Sequence, residues 1–247
     1  MTERAVSSGS PEAPTEVPIA PRWHTALLVT GITTLGLLGA WASRQKLDPG
    51  VVEAIPELSA AVRIFALYLP MIVMQAAIVG YVTRIGRPAN ALRALIGRRW
   101  DSGRRAAEDS GLALTGWLGV LGSETLWAKL VTAKAGLSAP IAAALPHTSV
   151  ERVAWVLVAL SVGFAEEVTY RGYLQTQLGA FTKNVGAGIV LSALLFGLVH
   201  GEQGLATALR FGVYGLGFGL LAHRRRSLVA GIICHAWIDV LGGLLRG

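Results

Sequence analysis

Charge is scarce in this sequence. Asp, Glu, Lys and Arg make up 15% of 247 residues, and hydrophobic residues make up 53%. A soluble domain carries about a quarter charged residues. The balance excludes an ordinary soluble domain, although a chain of this length could bury a large core. Acidic residues are the scarcer sign, 15 against 22 Lys and Arg, which leaves a net charge of +7. In a soluble chain that excess would raise nucleic acid as a partner. Here most basic residues lie between apolar segments, where they set membrane topology. No DNA-reading helix or base-stacking platform is visible, so nucleic acid is excluded. Cysteine is nearly missing: Cys234 stands alone, and no intrachain disulfide can form. No internal repeat is visible, which counts against a transporter built from inverted halves.

What the sequence has is long apolar runs. Mean hydropathy is +0.53. Residues 1–21, rich in Pro, Ser, Glu and Ala, read as a disordered tail. Apolar spans are expected at 23–41, 59–83, 111–133, 151–178, 185–200, 205–222 and 228–245. Most approach the roughly 20 residues that a bilayer requires. The fold class is therefore all-α, a polytopic helical bundle of about seven transmembrane helices. Three parts are expected: the tail 1–21, amino-terminal helices over 22–150 with a basic loop at 84–110, and a core over 151–247. Ala40, Trp41 and Ala42 resemble a signal-peptidase site, but the long acidic tail before them favours an uncleaved first helix.

The arginines orient the chain. Arg84, Arg87, Arg93, Arg98, Arg99, Arg104 and Arg105 fill the first basic loop, and Arg224, Arg225 and Arg226 form a second cluster. An even number of crossings separates them, so both fall on the cytoplasmic side with the amino terminus. The expected location is the inner (cytoplasmic) membrane. Residues 91–100 are expected to form a short amphipathic helix lying on anionic lipid.

Ionisable groups inside apolar helices point to function. In AEEVTYRGYL, Glu167 and Arg171 are four apart and share a helix face, while Glu166 is turned about 100° away. One carboxylate can be neutralised by the arginine, leaving the other for general acid–base chemistry. Glu167–Arg171 could equally be a structural ion pair. In LLFGLVHG, Phe196 and His200 are four apart. In ICHAWID, His235 and Asp239 repeat that spacing. A His–Asp pair can be a hydrogen bond, a metal-ligand pair or an oriented catalytic donor. Arg210 and Glu124 each need a partner within the bundle. Cys234 is about 100° around the helix from His235, which favours an inert buried thiol.

The ordered set EExxxR, FxxxH and HxxxD on three apolar helices resembles the CAAX protease and bacteriocin-processing family of intramembrane proteases, also called the Abi family. The resemblance covers about 150–245. It implies hydrolysis of a peptide bond inside the membrane. By that resemblance Glu166 activates water, His200 positions it, and His235 with Asp239 stabilises the oxyanion. Glu167, Arg171 and Phe196 support the site. The family's last position is Asn or Asp. Asn donates a hydrogen bond directly, whereas Asp239 must be protonated or must act by orienting His235. No cofactor is expected; the alternative is a zinc ion held by Glu166, His200 and His235. Counted along the spans, His235 lies nearer the cytoplasmic side and His200 nearer the outer side, so the two meet only if a helix tilts or 200–204 dips inward.

The expected partners are the bilayer and a protein or peptide substrate within it; the sequence leaves the oligomeric state open. Candidate substrates are carboxy-terminal sorting signals, leaders and prenylated carboxy termini. Prenylated termini rank last, because an Ala-, Gly- and Arg-rich chain fits a high-GC bacterium. The competing readings are a non-catalytic immunity or scaffold protein and a proton-coupled transporter using Glu166 and Arg210.

Overall fold

The apolar runs form helices. The computed structural model describes residues 18–44, 58–84, 91–130, 142, 144–201 and 204–246. Among them are α1 (Arg22–Arg44), α2 (Ala60–Arg84), α3 (Ala91–Ile96), α4 (Gly103–Leu130), α5 (Ser149–Thr182), α6 (Val185–Val199), α7 (Leu205–Arg225) and α8 (Val229–Leu244). Of the tail 1–21, only 18–21 are described, and the end of the expected span 111–133 also lies outside the described residues. Four helices, α1, α2, α5 and α7, are long and apolar enough to cross a bilayer. α6 and α8 are apolar but shorter. The fold is an all-helical membrane bundle; by length and hydropathy four spans are clear, where seven were expected.

Local chemistry sets the helix ends. Thr148 caps α5 in a reciprocal box with Glu151, and Asn184 caps α6 through Ala187 N at 3.0 Å. In α2, Pro70 follows a π-helical stretch, Ile64–Tyr68. Proline cannot donate to a carbonyl one turn back, and its ring crowds that carbonyl. The wider π register accommodates both effects.

The bundle is apolar on its outside and encloses charged groups within an apolar core. Leu27, Leu118, Leu157, Leu194 and Val213 face outward, while Arg63, Glu151, Glu167, Arg171 and His235 are buried. Small residues let the helices approach closely. A Cβ on Gly163 would lie 2.6 Å from Ala236 N, so α5 and α8 touch backbone to backbone. One buried pair was not anticipated. Arg63 Nε donates to Glu151 Oε1 at 2.6 Å, tying α2 to the start of α5. Glu151 Oε2 accepts from His147 N and Thr148 N, and an Arg63 terminal nitrogen donates to the Leu145 carbonyl.

The two basic segments meet. Leu228 N donates to Ile96 O, Arg98 N donates to Arg226 O, and Gly97 bridges Ser227. Arg225 pairs with Asp109 at 2.8 Å and with Glu108 at 3.1 Å. The Arg225 hydrogen bond holds the Glu108 carboxyl below the usual carboxylate range. The expectation for 91–100 needs correction. The helix covers only Ala91–Ile96, and Ala91 and Leu95 are buried in the protein core instead of resting on lipid. Leu95 packs against Gly172 of α5, where a Cβ would lie 3.2 Å from Leu95 Cβ. Sequence periodicity shows the apolar face but not what covers it.

Candidate active site

α5 supplies three charged groups from adjacent turns. Its α-helical hydrogen bonding runs to Glu166, then changes to a π register over Glu167–Leu174 before resuming. Such widened turns recur at functional sites. Every residue of this stretch is buried. Glu167 Oε1 lies 3.2 Å from Arg171 Nη1, the pairing expected from their spacing. The approach is close but poorly aligned, and neither terminal nitrogen of Arg171 has a hydrogen-bond partner. The guanidinium instead lies over the Phe196 ring, 4.2 Å from its centroid, and 5.3 Å from that of Phe218. Aromatic faces stabilise such a cation by about 0.5–2 kcal/mol.

α8 brings His235 against these groups. Its Nδ1 lies 3.0 Å from Glu167 Oε1, and its Nε2 lies 3.6 Å from Glu166 Oε2 and 3.7 Å from Asp239 Oδ2. Phe218 stacks on the imidazole at 5.4 Å. One carboxylate thus holds one ring nitrogen while two others face the second. Glu166 Oε2 and Asp239 Oδ2 are buried without a hydrogen-bond partner. The sequence reading missed Gly231. A Cβ there would lie 3.0 Å from Glu167 Oε2, so glycine leaves room for the carboxylate. Its position, four residues before His235 on the same helix face, was the available signal.

His200 caps α6, and its Nδ1 donates to the Phe196 carbonyl at 2.7 Å. The ring stacks on Phe211 at 4.2 Å. The Phe196 ring lies between the histidines, with centroids 4.7 Å from His200 and 6.0 Å from His235. Asp239, one turn beyond His235 toward the His200 side, lies within electrostatic reach of His200 and Glu166. Among the described residues, no three His, Cys, Asp or Glu side chains are grouped as a metal ion requires. Glu166, His200 and His235 in this arrangement therefore do not fit a zinc ion.

Arg210 and Glu124, each expected to need a partner, pair with each other at 2.7 Å, and Tyr214 donates to Glu124 at 2.7 Å. Cys234 is buried and faces Gly116 of α4.

Residues 148–241 match the family model described as type II CAAX prenyl endopeptidase Rce1-like. Over this segment the chain is similar to that family. No curated protein and no solved structure matches the chain. The Rce1-like segment starts at the capping box of α5 and ends just past Asp239, so it holds all the clustered residues. The apolar helices, together with this similarity to a membrane-protease family, make this a multi-pass membrane protein.

Proposed function

We propose that this protein is an intramembrane endopeptidase in which Glu166 activates water without a metal. The observation that carries the reading is the flanking of His235: Glu167 at one nitrogen and, 3.6 Å from the other, Glu166 Oε2, which is buried and makes no hydrogen bond. A buried carboxylate oxygen with no partner is costly in a membrane. A substrate water would satisfy it.

In the proposed reaction, Glu166 takes a proton from water as the oxygen attacks the peptide carbonyl carbon. The carbonyl π electrons move to its oxygen. His235 serves in its doubly protonated form, with Nδ1–H donating to Glu167 and Nε2–H donating to the oxyanion. The C–N bond then breaks, and Glu166 passes its proton to the leaving nitrogen. The products are an acid and an amine. His200 Nε2 accepts from the attacking water and orients it. Asp239 acts through His235, since an ionised carboxylate beside an oxyanion would oppose it. Glu167 and Arg171 position His235. The proposed substrates are membrane-associated or exported proteins, cut near a carboxy-terminal sorting signal or a leader. Prenylated carboxy termini, named in the matched family's description, rank behind these.

The test compares protein termini in source cells carrying wild type or Glu166→Gln, using mass spectrometry of membrane and surface fractions. Uncut tails or leaders confined to the variant support the proposal and identify the substrate. Identical termini at normal protein levels sink it and favour an immunity or scaffold role. Cleavage by purified protein should survive 1,10-phenanthroline. Loss restored by added zinc would overturn the metal-free mechanism.

A further inference from the structure

On the arginine-rich side of the bundle a groove of about 840 Å³ opens beside α5 and α8. Phe164, Val229, Ile232 and Ile233 form its apolar wall, and Arg98 and Arg99 stand at its rim. The rim is held in place, because Arg98 N donates to Arg226 O at 2.9 Å and Leu228 N donates to Ile96 O at 2.9 Å. Trp100, half exposed, also lines the groove and donates to Asp109 at 3.0 Å. A fixed, half-exposed tryptophan beside arginines is the side-chain pattern of the membrane–water boundary.

Three nearby arginines are already paired. Arg104 pairs with Glu108, Arg105 with Asp101, and Arg225 with Asp109 and Glu108. Asp101, the acidic residue at the groove, is the partner of Arg105. Arg98 and Arg99 have no carboxylate partner among the described residues. Two cations without a carboxylate partner therefore stand beside an apolar wall. A ligand complementary to both parts carries an anionic head and a hydrocarbon chain.

We infer that this groove binds one anionic phospholipid, its phosphate on Arg98 and Arg99 and an acyl chain along Phe164, Val229, Ile232 and Ile233. This changes how the basic segment meets lipid. The apolar face of α3 is taken up by the protein, so the lipid contact moves to the two arginines that follow it. The wall also links the lipid to the candidate active site. Phe164 is two residues before Glu166, and Ile232 is one helical turn before His235. A bound chain would fix the α5–α8 contact from its outer flank.

The test uses full-length protein in a zwitterionic detergent, with native mass spectrometry of bound phosphatidylglycerol. Wild type should retain one phosphatidylglycerol in preference to phosphatidylcholine. The double variant Arg98→Gln, Arg99→Gln should bind it about 30-fold more weakly, the effect of two basic contacts near a membrane surface. Arg104→Gln, which removes an equal but already paired charge, should bind as wild type does. Equal weakening in Arg104→Gln would show diffuse attraction and overturn the site. Retention unchanged in the double variant would overturn it too. Glycerol phosphate alone should fail to compete; competition as strong as that of the lipid would mean a plain phosphate site and reject the lipid. Displacement by an apolar peptide with a free terminal carboxylate, at matched concentration, would assign the groove to substrate instead.

Discussion

Among the described residues two arginine–carboxylate pairs are almost fully buried, and they differ in how completely they are satisfied. Arg63 and Glu151 form a closed unit. Both Glu151 oxygens accept hydrogen bonds, one of them from two backbone N–H groups, and Arg63 reaches a carbonyl as well. Around Glu167 and Arg171 the unit is open. Glu166 Oε2, Glu167 Oε2, Asp239 Oδ2 and both terminal nitrogens of Arg171 lack hydrogen-bond partners. Both regions remove charge from lipid, and both pairs are almost fully buried. A closed pair holds helices together and has no capacity left. An open cluster keeps unmet capacity that water or a substrate can use.

Substitutions on the two sides should therefore have opposite signatures. The largest effect is expected from Glu166→Gln, which keeps the shape and removes the base. Cleavage in proteoliposomes should fall by about 10²–10⁴-fold, the contribution of general-base catalysis, with little change in the unfolding midpoint. Next is Glu151→Ala, which strands Arg63. Thermal unfolding should show a loss of about 3–5 kcal/mol, with activity per folded molecule retained. If Glu166→Gln unfolds the protein and Glu151→Ala abolishes cleavage in a stable one, the contrast is the wrong way round. Gly231→Val sharpens it further. The added methyl groups press on the Glu167 carboxylate, so overpacking should cost about 1–3 kcal/mol and cleavage should fall as His235 loses its support. Smallest is Cys234→Ala. Its cleavage rate should match wild type, because the thiol faces α4 and not the cluster. A rate loss comparable to that of Glu166→Gln would reopen a thiol role.

The open cluster was more legible in the sequence than the closed pair. EExxxR, FxxxH and HxxxD repeat a four-residue spacing that places each pair on one helix face, and Glu167–Arg171 followed directly from it. The bond from Glu167 to His235 spans 68 residues and joins two helices, so no local period could show it. The same holds for Arg210 with Glu124, each recognisable as needing a partner but not as the other's. Arg63 and Glu151 gave a signal that went unread. A lone arginine within an apolar run needs a carboxylate somewhere. The π register at Glu167 has no proline to mark it, unlike the one before Pro70.

The first helix is fastened to the core by groups that lie far along the chain. His24 Nδ1 meets the Tyr173 hydroxyl at 2.6 Å across a separation of 149 residues, and Gln177 holds Ala20 and Thr25. A ribosome adding roughly 5–20 residues per second needs about 7–30 s to cover that distance. During that interval α1 can rest on α2 alone, through Tyr81, which stacks on His24 at 4.2 Å and donates to its carbonyl at 3.0 Å. The newborn chain passes through a stage in which its earliest helix is only half fastened, and the remaining polar contacts are completed by a helix that emerges much later.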